Sequence, residues 1–363
     1  MHIMQICSGK DLNGAVYSTM LLARELSRHG QRVSMVCHPG SWMAEELADS
    51  SIEVVLSDMH RWPVDELRRV ATLIRERDVD VIHTHLSRAH FFGVLLRLFS
   101  GIPCVATAHC CHFQPHWMLN NYVIAVSEAT RRYHRLVNFV SRKRIETIYD
   151  FVDEDDLETV TEEAKSQVRR SLGVADDDFV MTAVGSLIPR KGLVHVIRAL
   201  PRMLQDIPTA RFAVIGGCPV NEHTTALKSE AKKLNVSDNV IWAGQRDDVL
   251  PILAASNVCV HPALDEPLGR VVLEAMAVGV PVVASRTGGI RESVLHNKTG
   301  ILVTPGNSAE IAKAVIAVDR DQALRNRLTT TASRRLEEVF STKAHIARTM
   351  DVMHRVTAKR RAA

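Results

Sequence analysis

No stretch of this 363-residue chain approaches 18 apolar residues without a charge, so no segment is expected to span a membrane. The opening residues Met1-His2-Ile3-Met4-Gln5-Ile6 lack a basic n-region and a cleavage site, and they read as a first strand rather than a secretory leader. The seven cysteines are an odd number for a chain of this length and suggest no disulfide framework. Cys7, Cys37, Cys104 and Cys259 sit in or beside apolar runs, where a free thiol packs as a small hydrophobe; a cytoplasmic setting follows. A large excess of charge of one sign is missing too. A net charge of +4 gives no whole-molecule field for nucleic acid, and no such partner is expected. Locally, Arg131, Arg132, Arg135, Arg142, Lys143 and Arg144 cluster with only Glu146 near them. Such a run is either a solvated helix face or a contact for an anionic acceptor or a membrane surface.

What the chain does have is alternation. With 46% hydrophobic and 24% charged residues it is composed like a soluble globular protein, and its length suits two domains of ~100–200 residues. Short apolar runs predict strands at 2–7, 32–37, 52–56, 79–83, 103–107, 122–126 and 145–149, with helices at about 15–29, 64–77, 87–100 and 127–138. The series then restarts, with strands at 179–185, 210–216, 239–243, 257–261, 280–284 and 300–303 and helices at about 192–206, 222–234, 247–255, 270–278 and 308–317. Runs without polar alternation suit strands covered on both faces of a parallel sheet. The acidic segment from Asp153-Glu154-Asp155-Asp156 to Glu163 reads as a junction. The expectation is an α/β protein with two Rossmann-like doubly wound domains, 1–155 and 156–340, facing a cleft. A C-terminal helix and tail over 341–363, expected to cross back to the first domain, end in a frayed Lys359-Arg360-Arg361-Ala362-Ala363.

The densest chemistry lies in Pro262-Ala263-Leu264-Asp265-Glu266-Pro267-Leu268-Gly269-Arg270, running on to Glu274. A strand ends near His261, a loop carries Glu266, and a helix starting close to Gly269 brings in Glu274. Backbone N–H groups around Leu268 and Gly269 then face an anion, and the carboxylates can accept from sugar hydroxyls. Taken on chemistry alone, two ordinary helix-start acids explain the pattern equally well. A second motif, Val184-Gly185-Ser186-Leu187-Ile188-Pro189-Arg190-Lys191-Gly192, follows a strand and opens a helix. There Lys191 offers a point charge for a diphosphate and Arg190 a fork of donors.

The spacing from Glu266 to Glu274, then Ala275-Met276-Ala277, Gly279-Val280-Pro281-Val282-Val283-Ala284, Gly288-Gly289-Ile290-Arg291-Glu292 and Thr299-Gly300-Ile301-Leu302-Val303, closely resembles family 4 of the retaining GT-B glycosyltransferases. The resemblance covers nearly the whole chain. It implies the GT-B architecture, with Glu266 on the donor sugar, Glu274 on the nucleotide ribose and Lys191 on the diphosphate. Ser186 stands where that family most often has arginine, which leaves Arg190 as the candidate for the missing charge. Gly216-Gly217 and Gly244-Gln245-Arg246 sit where the family holds its base.

In the first half, Ser8-Gly9-Lys10-Asp11-Leu12-Asn13-Gly14-Ala15 is not a G-x-G-x-x-G fingerprint, which argues against a nicotinamide cofactor. It resembles the family's glycine-bearing loop, and Gly14 matches the glycine that approaches the donor phosphate. His109 follows the strand ending at Ala108, where the family has a histidine near the transferred sugar. His83-Thr84-His85 resembles a strand-end pair that lines the acceptor cleft, or is packing. His109-Cys110-Cys111-His112 lacks the C-x₂₋₄-C spacing of common zinc sites, so no metal is expected. Ser127 is placed to cap a helix. Asp150 and Phe151 depart from the family's usual Asn-Gly, predicting a different local turn.

The resemblance implies a metal-independent, retaining transfer from a nucleoside diphosphate sugar, a substrate and not a cofactor, to a sugar or lipid-linked acceptor. The commonest setting is bacterial cell-envelope polysaccharide or lipopolysaccharide synthesis, in the cytoplasm or on the inner membrane face. A sugar-nucleotide epimerase on the same fold and a silent nucleotide-binding subunit remain alternatives.

Overall fold

The computed structural model describes residues 1–59, 64–152, 154–217 and 221–361. The chain divides into one unit of residues 1–150 with 343–363 and a second of residues 151–342. The first holds seven strands: β1 (His2–Cys7), β2 (Arg32–Cys37), β3 (Glu53–Leu56), β4 (Val81–His85), β5 (Cys104–Ala108), β6 (Tyr122–Ala125) and β7 (Ile145–Thr147). The second holds six: β8 (Phe179–Val184), β9 (Ala210–Ile215), β10 (Val240–Gly244), β11 (Val258–His261), β12 (Val282–Ser285) and β13 (Ile301–Val303).

Both sheets are parallel, ordered β3-β2-β1-β4-β5-β6-β7 and β10-β9-β8-β11-β12-β13. Each strand order reverses once, between β1 and β4 and between β8 and β11. In open α/β sheets ligands bind outside the carboxyl ends of the strands at such a reversal. The strands are buried almost throughout because helices cover both faces; Met4, Ile6, Ile82 and Phe92 centre one core and Met181, Phe212, Val260 and Val315 another. The two Rossmann-like domains expected from the sequence are both present.

Several differences from the sequence reading have local causes. The fourth strand is displaced from 79–83 to Val81–His85, because His83 and His85 are buried strand residues rather than a polar end. The acidic segment read as a junction holds the start of a helix, Glu162–Leu172, with Thr161 capping Ala164 N and two glutamates in its first turn. Asp153 and the terminal Ala362-Ala363 lie outside the described residues. The C-terminal helix Thr342–Arg361 lies almost wholly in the first unit, where His345 Nδ1 donates to Tyr149 O at 2.7 Å. Ser127 caps its helix, accepting from Thr130 N at 3.1 Å. Asp150 is buried and accepts from Ser18 Oγ at 2.8 Å, the use to which the unusual aspartate is put.

Besides His2, the described residues of the first unit bury four imidazoles, His83, His85, His90 and His134. Burial pushes His83 down to about 3 and His134 to about 4, and holds His85 and His90 well below the usual histidine range; neighbouring histidines add to the shift. Unfolded, the same groups protonate near pH 6.5, so below that pH the unfolded chain binds more protons. Their contribution to stability is complete above pH 6.5 and is lost as pH falls toward 4 and 3. We predict a urea midpoint that drops steadily from pH 7 to 5, by up to about 1.4 kcal/mol per pH unit for each such histidine. His90→Phe should flatten the slope by about one histidine's share. A profile that stays level from pH 7 to 5 would contradict four neutral buried rings.

Candidate active site

The second unit's strand reversal brings together the loops after β8 and β11, which supply the charged groups singled out from the sequence. After β8 a short 3₁₀ turn, Pro189–Lys191, is ended by Gly192 at φ +67°, and the helix Leu193–Asp206 begins. After β11 the loop carries Glu266 to Gly269, at φ +83°, and the helix Arg270–Ala277 follows with no side-chain cap on its N–H groups. The two loops are sewn together: Leu264 N donates to Arg190 O at 2.8 Å and Arg190 Nη1 to Asp265 O at 2.7 Å. A side chain at Gly192 is excluded, since its Cβ would stand 2.2 Å from Pro262 O.

Glu266 is the centre of this arrangement. Its carboxylate is buried and accepts from Lys191 Nζ at 2.6 Å, with Arg190 Nη1 at 3.7 Å from the same oxygen. His261 Nε2 stands 3.4 Å away, a close contact and not a well-directed hydrogen bond, so the lysine is the firmer partner. Burial by itself would raise the carboxyl; His261 and the Lys191 charge outweigh it and hold Glu266 well below the usual carboxylate range. Burial lowers His261, with Lys191 adding to the effect and Glu266 opposing it. From the other side Gly288 and Gly289 press on the loop: a Cβ at Gly288 would lie 2.0 Å from Glu266 O, and Gly289 N donates to that oxygen at 3.0 Å.

Leu268 is buried beside Gly269, its carbonyl accepting from Ser293 Oγ at 3.3 Å. Glu274 lies one turn into the helix and is held by Arg270, whose Nε and Nη2 approach Oε1 at 3.2 and 3.0 Å. Arg270 Nη1 also donates to Phe151 O at 3.0 Å. Gly244 ends β10 at φ +70°, and its carbonyl accepts from Gly216 N at 2.7 Å, joining the ends of β9 and β10. Ser186 is exposed on the β8 loop, so the positive charge there comes from Lys191 and Arg190.

At the first unit's reversal the residues singled out from the sequence are a glycine and histidines. Gly14 opens the helix Gly14–Arg28, and Asn13 Oδ1 already accepts from Ala15 N and Val16 N. His109 follows β5 with its Nε2 3.2 Å from Nδ1 of the buried His85, one of the two nitrogens carrying the shared proton. The His85 ring lies tilted against His83, whose Nε2 is 2.7 Å from Thr107 Oγ1. These strand histidines face the protein interior. His134 Nε2 donates to Cys110 O at 2.9 Å, and among the described residues no three His, Cys, Asp or Glu side chains converge as a metal site requires. Sequence reading missed His261 and Arg270 as parts of the site. The signal for His261 was a lone histidine closing the apolar run Val258-Cys259-Val260; Arg270 gave none beyond its four-residue spacing from Glu274.

Two family models match this chain. The model for Glycosyltransferase Family 4 matches residues 12–156 and that for Glycosyl transferases group 1 matches residues 164–335. The chain belongs to glycosyltransferase family 4. An uncharacterized glycosyltransferase of Methanocaldococcus jannaschii is 29% identical over 299 residues, 76% of this chain and 75% of the relative. A lipopolysaccharide core biosynthesis glycosyltransferase of Rhizobium meliloti is 33% identical over 176 residues, 48% of this chain and 50% of the relative. Among solved structures, the Anabaena protein HepE in complex with UDP and glucose matches with a TM-score of 0.87 at 22% identity, covering 98% of this chain and 99% of that one. This family 4 member therefore has the GT-B fold.

The Glu266–Lys191 pair sets a stability test. Lys191→Ala leaves a buried carboxylate short of its main partner and should cost about 3 kcal/mol. Glu266→Ala in the Lys191→Ala background should restore much of that loss, giving a coupling of more than about 1 kcal/mol in a double-mutant cycle read by urea unfolding. Strictly additive losses would mean the pair is not formed in solution.

Proposed function

We propose that this glycosyltransferase moves a sugar from a nucleoside diphosphate sugar to a hydroxyl of a cell-envelope glycan or lipid-linked acceptor, with the anomeric configuration retained. The observation that carries the reading is the buried Glu266 carboxylate held at 2.6 Å by Lys191 beside an uncapped helix start. An ionised carboxylate fixed in position is an acceptor for sugar hydroxyls, and the lysine next to it is a partner for a diphosphate. The UDP and glucose bound by HepE, at the fold level, and the lipopolysaccharide pathway named for the Rhizobium relative agree with it.

In this reading the C1–O bond to the diphosphate breaks as the acceptor oxygen bonds to C1 on the same face. The acceptor's proton passes to the departing diphosphate. Lys191 and Arg190, with backbone N–H groups of Leu268 and Gly269, meet the developing negative charge, which favours the transition state over the bound substrate. Glu274, oriented by Arg270, accepts from the ribose, and Gly244 lies by the base. In the first unit, Gly14 N approaches phosphate, and His109 meets hydroxyls of the transferred sugar. No metal or cofactor enters this scheme.

A thermal-shift panel of nucleoside diphosphates and their sugars tests the reading, since ligands that bind only the folded chain raise its melting temperature by mass action. One base and one sugar should give a selective rise. Glu266→Gln should then lower turnover about 10²–10³-fold with the fold intact, and Lys191→Ala by a similar factor. A panel without any shift would remove the nucleotide site, and wild-type turnover in both variants would remove these residues from it.

A further inference from the structure

The first unit exposes apolar side chains where folding gains nothing from them. Among the described residues, Phe113, Met118, Leu119, Leu136 and Phe139 are 61%, 42%, 47%, 64% and 67% exposed. They belong to one fastened edge. Asn138, between Leu136 and Phe139, accepts from Gln114 N at 2.7 Å and donates to His112 O at 2.9 Å, which seats the Phe113 loop against the end of the helix Glu128–Leu136. On the other side the Arg97 guanidinium donates to Leu119 O, tying the 3₁₀ turn Pro115–Leu119 to the helix Ser87–Ser100. Phe139 also adopts φ +54°, a conformation that is an outlier for a bulky residue and is kept although its ring remains in solvent.

Cations adjoin this edge. Arg132 on the helix and Arg142, Lys143 and Arg144 in the 3₁₀ turn just beyond Phe139 are exposed, and none of the four has a carboxylate partner among the described residues. The nearby acid does not neutralise them: Glu146 is engaged by Arg348 and Arg355 of the C-terminal helix. Arg131 differs, being paired with Glu128 at 2.6 Å.

We propose that this edge docks on an anionic bilayer, with Phe113, Leu119, Leu136 and Phe139 entering the headgroup boundary and Arg132, Arg142, Lys143 and Arg144 lying against the lipid phosphates. Rings and aliphatic chains bordered by unpaired cations fit a surface that is apolar beneath and negative above. A second copy of the chain is a poor occupant, because two-fold pairing of the edge would set arginine against arginine. The proposal deepens the lipid-linked acceptor reading, since it holds the first unit where such an acceptor resides. Its physical basis is independent of the nucleotide site.

The experiment is flotation of the full chain with vesicles of phosphatidylcholine alone or with 30% phosphatidylglycerol, at low and high salt. The expected result is at least tenfold stronger binding to the anionic vesicles, weakened by salt. Arg142→Ser with Lys143→Ser and Arg144→Ser should each contribute about a fivefold loss. Phe113→Ser with Phe139→Ser should lose binding at least tenfold even at low salt. Both variants should keep the wild-type sedimentation coefficient and the wild-type thermal shift with nucleotides, which certifies their fold. Failure to float with either vesicle, binding untouched by the phenylalanine changes, or a dimer dissolved by them would each overturn the proposal. Flotation without any nucleotide shift would leave this surface standing and sink the transferase site instead.

Discussion

A negative charge buried beside a positive one is what the second unit is arranged around. Glu266 is largely out of water, and an ionised carboxylate there is stable only with a partner held close. Lys191 supplies it from 75 residues away, so the loops after β8 and β11 must meet. Two consequences follow in the backbone. Gly192 has to lack a Cβ because Pro262 O occupies that space, and Gly288 because Glu266 O does. The strand order makes the meeting possible, since β8 and β11 are neighbours only through the reversal of the sheet. Ion pair, glycines and topology are thus one constraint seen at three scales.

The two Rossmann-like units share a plan and differ in the chemistry at its reversal. In the second, lysine, arginine and carboxylate are gathered. In the first, the strand beside the reversal carries imidazoles packed in the interior, which burial keeps uncharged, down to about 3 for His83. Neutral imidazoles exchange hydrogen bonds with hydroxyls without drawing in counter-ions, whereas a fixed cation suits a diphosphate. The difference comes from side chains rather than from the fold.

How much of this was legible in the sequence depends on whether the signal was local. Apolar runs located all thirteen strands found among the described residues, because strands covered on both faces are apolar throughout. The fourth was displaced by two residues, since His83 and His85 look like a polar end until the burial of both is known. The helix Glu162–Leu172 was missed because two glutamates after Thr161 resemble a solvated linker as much as a capped first turn. Glu266, Glu274, Lys191 and Gly269 stood out through the family motifs they resemble. His261 and Arg270 did not, for their meaning lies in what they touch. One approaches a carboxylate across a loop; the other fastens Glu274 to a carbonyl more than a hundred residues earlier.

The same ion pair constrains how a ligand can enter. Lys191 is committed to Glu266, and one lysine cannot fully serve both a carboxylate and a diphosphate. A diphosphate brings more negative charge than the lysine carries, so a second cation is needed. Arg190 meets that condition: it lies 3.7 Å from the same carboxylate oxygen, tethered to Asp265 O and partly open to solvent. Glu266 in turn needs something to replace the lysine it shares, and sugar hydroxyls are donors that can do so without adding charge. Binding of the donor would then exchange one balanced set of contacts for another rather than expose a buried charge. That exchange would let a site holding its own salt bridge admit a charged ligand, with an arginine four residues beyond Ser186 as the second cation.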